Sequence, residues 1–346
     1  MPLEDADIFK AQIYQKLSKK EEQREFIKQW DYLTKTCTHG KISGGINEVF
    51  RYYSHVLRGR ENGKEKEVGL RNFFAGKNDK YERLHKSDLL PEVTLLANFW
   101  KQVNTNKQNK DIPEFTPEVK QYLDVLSKYL NECWKYPVCS FFLMHKDLPK
   151  VKFNSKFLFL LKQLSAYLLV MQLTKPGLSN IRQEIYKAQV AISKGDEWTP
   201  SITSPTENEI RSSFGKVGKG IKAFLLLHAY LHPAQKCVIA DSTHIEHILP
   251  RSWQKPNYNG WNSEDAKSKI ETLGNLVVFE KKLNIKASDG YFGKKRKFYK
   301  ESKISVVKDL LKHRSGDWGK DDIEKRDKEV KNTLFDFFKK QLSKKG

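Results

Sequence analysis

The sequence is poor in cysteine: four in 346 residues, at Cys37, Cys133, Cys139 and Cys237. None forms a C-x-x-C pair, which argues against a zinc knuckle and against a disulfide framework, and free thiols of a reducing compartment are expected. Long apolar runs are also missing. The most apolar stretch, Phe157 to Leu173, is interrupted by Lys162 and Gln163 and reads as a buried core helix, not a membrane anchor. Met1-Pro2-Leu3-Glu4-Asp5 has no basic region followed by an apolar one, so no signal peptide is expected and a cytoplasmic location is. Acidic residues are outnumbered: Lys plus Arg is 63 against 42 Asp plus Glu, a formal net charge of +21. Such a surplus points to a polyanionic partner, nucleic acid before an anionic membrane. With 38% hydrophobic and 12% aromatic residues, the chain can build real cores, which excludes disorder throughout.

What is present is first of all helical. Apolar residues recur at a period near 3.6 in Phe26-Ile27-Trp30-Leu33, in Val49-Phe50-Tyr53-Val56-Leu57, in Leu95-Leu96-Phe99-Trp100, and from Tyr122 through Leu126 and Leu130 to Trp134. No strand-type alternation stands out before about Cys237. Charged or polar breaks fall at Arg58 to Lys66 and at Asn104 to Asp111. The Ser/Thr/Pro-rich segment Trp198 to Asn208 is the best domain boundary. A helix is expected from Gly220 to Tyr230.

After His232-Pro233 the texture changes. Lys236 to Ala240 reads as a strand, Leu276 to Phe279 as a second, and Lys281 to Ala287 as a short helix, a ββα arrangement. From Lys281 to Lys300 there are eight basic residues, Lys281, Lys282, Lys286, Lys294, Lys295, Arg296, Lys297 and Lys300, against the single acid Asp289. Tyr291, Phe292, Phe298 and Tyr299 interleave with them. A charge run is ordinarily a solvated face. This one follows a chemically dense segment, which favours contact with phosphates.

That segment is Thr243-His244-Ile245-Glu246-His247-Ile248-Leu249-Pro250. An imidazole and a carboxylate stand side by side at the end of an expected strand, where a bulge could aim both into one pocket. Phosphodiester hydrolysis needs a base for water and a cation for the developing charge; His247 suits the first and Glu246 could ligate the second. The alternative is a polar cap on a strand. H-x-E also occurs in zinc deaminases, but the P-C-x-x-C that they require is absent.

The box is followed in order by Gly274-Asn275-Leu276, by Asn284, and by Phe292-Gly293-Lys294. Together these resemble the I-E-H-I-L-P, G-N-L, helix-Asn and F-x-x-K elements of the C-terminal nuclease domain of GmrSD-type modification-dependent restriction enzymes, within the HNH or ββα-metal nucleases. Trp318, Ile323 and Arg326 resemble that family's closing W-x(4)-I-x-x-R, and Pro2 to Lys10 resembles the segment that follows its N-terminal domain. The resemblance implies that His247 is the general base. It implies that Glu246 and Asn284 are metal ligands and that Asn275 orients the base and shapes its loop. His244 would assist at metal or phosphate, and Lys294 would steady the scissile phosphate. It implies a divalent cofactor, Mg²⁺ first and Mn²⁺ second. Asn284 stands where a His is common, which weakens that ligand set.

The fold expected is mainly α with a small α+β part: a helical domain over 1–200 packed on an HNH-like nuclease domain over 201–346, with a ββα core at about 236–300. The function expected is metal-dependent cleavage of double-stranded DNA, including modified phage DNA, in antiviral restriction. The family's ParB-like domain with its D-G-Q-Q-R motif has no counterpart here, so a separate nucleotide-binding subunit is an expected partner. The rival readings are a DNA-binding or regulatory subunit with a degenerate box, an RNA-directed nuclease, and a structural adaptor.

Overall fold

A computed structural model describes residues 4–62, 68–76, 78, 80–200, 206–216, 218–239, 242–254, 260–313 and 315–342. The central part of the expected domain boundary, 201–205, lies outside them, as do 63–67 of the charged break and Ala240 of the expected first strand. The described residues are mainly helical, with one two-stranded sheet. The helices are α1 (Asp5–Gln15), α2 (Lys20–His39), α3 (Gly45–Glu61), α4 (Leu70–Ala75), α5 (Leu89–Thr105), α6 (Pro117–Ser127), α7 (Lys135–His145), α8 (Lys150–Thr174), α9 (Leu178–Ser193), α10 (Glu207–Ser213) and α11 (Ile221–Leu231). Strand β1 (Thr243–His247) follows, then α12 (Ser263–Lys269), strand β2 (Leu276–Glu280), α13 (Lys281–Ala287), α14 (Phe292–Glu301), α15 (Ser305–Asp309) and α16 (Lys320–Leu342).

The chain divides into two compact units. The first comprises 1–115, 133–160 and 182–199; the second comprises 116–132, 161–181 and 200–346. In the first unit the helical stripes close on aromatic cores. Phe9, Phe50 and Phe74 meet at centroid distances of 4.9 to 5.6 Å, and Phe99 stacks on Phe142 at 4.5 Å. Cys37, Cys133 and Cys139 are buried, and burial pushes each thiol up to about 12, so these are packing residues and not nucleophiles. Helix α8 is long and apolar enough to cross a membrane, but 72% of its apolar window is buried inside the protein, as the sequence led us to expect of a core helix.

In the second unit the helix ends are written in the sequence. Thr116 caps α6 with Pro117 at its first position, Thr206 and Glu209 form a capping box on α10, and Asn262 caps α12. Helix α11 falls where the apolar run predicts it. Helix α16 buries Ile323, Arg326, Val330, Leu334 and Phe338 along one stripe, with an arginine inside an otherwise apolar face. β2 is buried at Leu276, Val277, Val278 and Phe279, and β1 pairs with it antiparallel, Thr243 opposite Glu280 and His247 opposite Leu276.

Of the expected first strand, the described residues 236–239 are therefore not a strand. The strand is the chemical box itself. Ile239 is buried and its N–H donates to the Tyr230 hydroxyl (3.1 Å), while Cys237 is exposed and 236–239 form no ladder. A β-branched apolar patch can be a packing anchor without a partner strand.

Candidate active site

The site is built at the last residue of β1. Successive side chains of a strand point to opposite faces, so Glu246 and His247 diverge. Glu246 turns inward: it is 3% exposed, its Oε1 lies 2.8 Å from Nζ of Lys295, and it accepts a hydrogen bond from the Tyr299 hydroxyl at 2.7 Å. Burial raises the Glu246 carboxyl above its ordinary value, and Lys295 and Tyr299 oppose that rise. Both partners come from α14, whose Phe292, Lys295 and Tyr299 form its buried face.

His247 turns the other way. Its Nε2 lies 3.3 Å from Oε1 of Glu271, and Glu271 is in turn held at 2.8 Å by the guanidinium of Arg251. A carboxylate only accepts, so Nε2 carries the proton and the lone pair is left on Nδ1. Burial lowers the imidazole below its usual value, with Arg251 adding to the effect and Glu271 opposing it. That shift favours the neutral ring, the state a general base requires.

The turn after His247 is clamped on both sides. Lys295 Nζ donates to the carbonyl of His247 at 2.6 Å. Asn275 is fully buried. Its Oδ1 accepts from the Leu249 N–H (2.7 Å), its Nδ2 donates to the carbonyls of Leu249 (2.9 Å) and Ile270 (3.0 Å), and its own carbonyl accepts from the Ile248 N–H (2.9 Å). All of these Asn275 bonds go to backbone, and none goes to the imidazole.

Several expected site residues stand elsewhere. Glu246 is not placed to hold a metal beside His247, because strand alternation sends it into a buried ion pair. Lys295 is 1% exposed and spent on that pair, so it is no phosphate contact. Counted from Phe292, the lysine of F-x-x-K is this Lys295; Lys294 is exposed, with its ammonium 5.4 Å from the Tyr291 ring centroid. Arg296 is half-buried and donates to the carbonyls of His313 and Leu311, structural bonds that withdraw it from the basic face. Lys281, Lys282, Lys286, Lys297 and Lys300 are exposed. His244 is exposed three residues back on β1, on the face opposite His247. Asn284 lies on α13 with its Nδ2 buried and without a partner.

The divalent ion implied by the resemblance does not fit this donor set. A cation brought to Glu246 would meet the ammonium of Lys295. Among the described residues no group of three or more His, Cys, Asp or Glu side chains is placed to hold a metal. Glu271 and Arg251, which complete the His247 pair, are not marked by the sequence; they lie between the two boxes, where no spacing rule singles them out.

No curated protein matches the chain. Residues 192–332 match the family model described as GmrSD restriction endonucleases, C-terminal domain. The matched stretch includes β1, the G-N-L turn, α13, α14 and the first half of α16. Over residues 192–332, then, the chain is similar to the C-terminal domain of the GmrSD restriction endonucleases.

Proposed function

We propose that this chain is an endonuclease that hydrolyses phosphodiester bonds of double-stranded DNA in restriction of incoming phage DNA, with His247 as general base. The observation that carries the reading is the half-buried His247 at a strand end. Its Nε2 is fixed by Glu271 and its backbone is clamped by Asn275 and Lys295. Nδ1 takes a proton from water, the water oxygen bonds to phosphorus, and the bond from phosphorus to the 3′ oxygen breaks, the departing oxygen taking a proton from solvent. Glu271 stabilises the imidazolium formed. Arg251, 67% exposed and paired with Glu271, supplies an exposed cation beside the base for the charge that develops on the phosphate.

The exposed lysines support nucleic acid as substrate. Lys294 and Lys297 are exposed on α14, the helix whose Lys295 reaches the His247 carbonyl, so positive charge lies on an element in contact with the site's backbone. Binding through them tracks the backbone and gives a steep salt dependence with little sequence preference.

One observation favours a second reading, a DNA-binding subunit with a degenerate box: the carboxylate beside the base is consumed by Lys295. The two are separated by nicking of supercoiled plasmid by the wild-type chain and by His247→Ala, with DNA binding measured in parallel. Cleavage lost in the variant with binding retained supports the enzyme. Binding without cleavage in both supports the subunit, and co-purification with a nucleotide-binding partner then tests the split arrangement.

A further inference from the structure

The G-N-L turn that presents Asn275 is itself gripped from α16. Arg326 lies in the apolar stripe of that helix, and its Nη1 converges on three carbonyls: Leu273 and Gly274 at 2.8 Å and Leu276 at 2.9 Å. The next residue, Asp327, accepts the Gly274 N–H at 3.0 Å. The turn rests directly on helix backbone, since a Cβ on Gly274 would stand 2.1 Å from the Ile323 carbonyl oxygen. From there Asn275 passes the registration to Ile248 and Leu249, the residues that follow His247.

Arg326 is costly where it stands. Burial lowers its guanidinium to about 10, and its Nη2 is buried without a partner. An apolar residue would fill the same stripe with no desolvated cation and no unmet donor. What an apolar residue cannot do is hold three carbonyls of one turn in a fixed arrangement.

We propose that Arg326 is a positioning residue for the hydrolytic reaction, fixing through the G-N-L turn and Asn275 the backbone turn that aims His247. This rests on the proposed function for its effect on rate, but not for its effect on the turn. Arg326 is buried and bonded to backbone, away from any substrate.

The test uses a second feature. Arg326 lines a cavity of about 520 Å³ together with His228, Trp318 and Lys325. Arg326→Ala extends that cavity to the G-N-L carbonyls, so added guanidinium can reach them. In the full chain, Arg326→Ala is expected to lose hydrogen-exchange protection at the Ile248 and Leu249 amides. The Phe279 amide of β2 stays protected. The cleavage rate falls about 100-fold, the scale of a base misplaced by an ångström, with KM little changed. Guanidinium, but not an equal concentration of sodium chloride, is expected to restore both readouts. A variant that was merely destabilised would lose protection throughout β2 and be harmed further by guanidinium, and that result overturns the proposal. So does unchanged protection at Leu249. Should the alanine variant not fold, Arg326→Lys keeps the charge with a shorter reach, and its Leu249 amide is expected to exchange faster than in the wild type while Phe279 does not. If the wild type itself fails to cleave, the nuclease reading falls, and the amide readout still decides the role of Arg326.

Discussion

Replacing Glu246 by glutamine separates a structural carboxylate from a metal ligand. Glu246 is 3% exposed and Lys295 1% exposed, with 2.8 Å between carboxylate and ammonium. Removing one partner of a buried pair leaves the other charge uncompensated, at a cost of about 3–5 kcal/mol. Here the Lys295 ammonium keeps its bond to the His247 carbonyl at 2.6 Å, so we expect the lower end, about 3 kcal/mol. In a unit of this size that lowers the unfolding temperature by roughly 6–12 °C. The measurement is thermal and urea unfolding of wild type and Glu246→Gln in EDTA, so that no divalent ion contributes. Adding Lys295→Met to Glu246→Gln should recover most of the loss, because the orphaned cation is then gone. Any Mn²⁺ affinity of the chain, read by calorimetry, should not change in Glu246→Gln. A variant as stable as wild type in EDTA, with Mn²⁺ affinity lost, would refute the ion-pair account and make Glu246 the ligand that the family resemblance implies.

Gly274→Ala should shift the G-N-L turn away from α16, since the added Cβ meets the Ile323 carbonyl at 2.1 Å; a stability loss of more than about 2 kcal/mol is expected, and a neutral effect in urea unfolding would contradict the packing. Glu271→Gln removes the charge that stabilises the His247 imidazolium and should slow cleavage at least about tenfold without altering DNA affinity. The cleavage rate should fall with acidification only below the ordinary histidine range, because the folded His247 value is lowered. A pH–rate profile with its acid limb above that range would count against His247 as base. Acid stability has its own signature: burial lowers His228 from 6.5 to about 3, so the unfolded chain binds a proton that the folded one refuses between those values. Stability is therefore full above about pH 6.5 and drains as pH falls, by up to roughly 5 kcal/mol, and His228→Phe should flatten that slope in urea titrations. Charge removal at Lys281, Lys282 and Lys286 should reduce the salt slope of DNA binding by about one for each phosphate that is no longer neutralised.

The helices were legible because their stripes repeat at 3.6 residues and several of their ends carry caps, as at Thr116 and Thr206. The second strand was legible as a buried apolar run ending at Glu280. The first strand lies a few residues later than its composition suggests, because Val238 and Ile239 look more strand-like than Thr243 to His247, whose His244, Glu246 and His247 pair across from the apolar Phe279, Val277 and Leu276. His247 and Asn275 could be singled out from ordered boxes. The role of Glu246 could not, since it depends on which face of β1 α14 covers. Arg326 left a trace, a charge inside an apolar stripe, but its acceptors are carbonyls some fifty residues earlier in the chain. Glu271 and Arg251 meet His247 only once the long loop between the strands has folded back.

The proposed role of His247 in hydrolysis is tested by nicking of supercoiled plasmid by purified chain, run with Mg²⁺, with Mn²⁺ and with EDTA, beside His247→Ala. We expect cleavage by wild type and a loss of about 100-fold or more in the variant, with DNA binding unchanged. Equal cleavage by both proteins, or DNA binding with no cleavage by either in any of the three conditions, would contradict it.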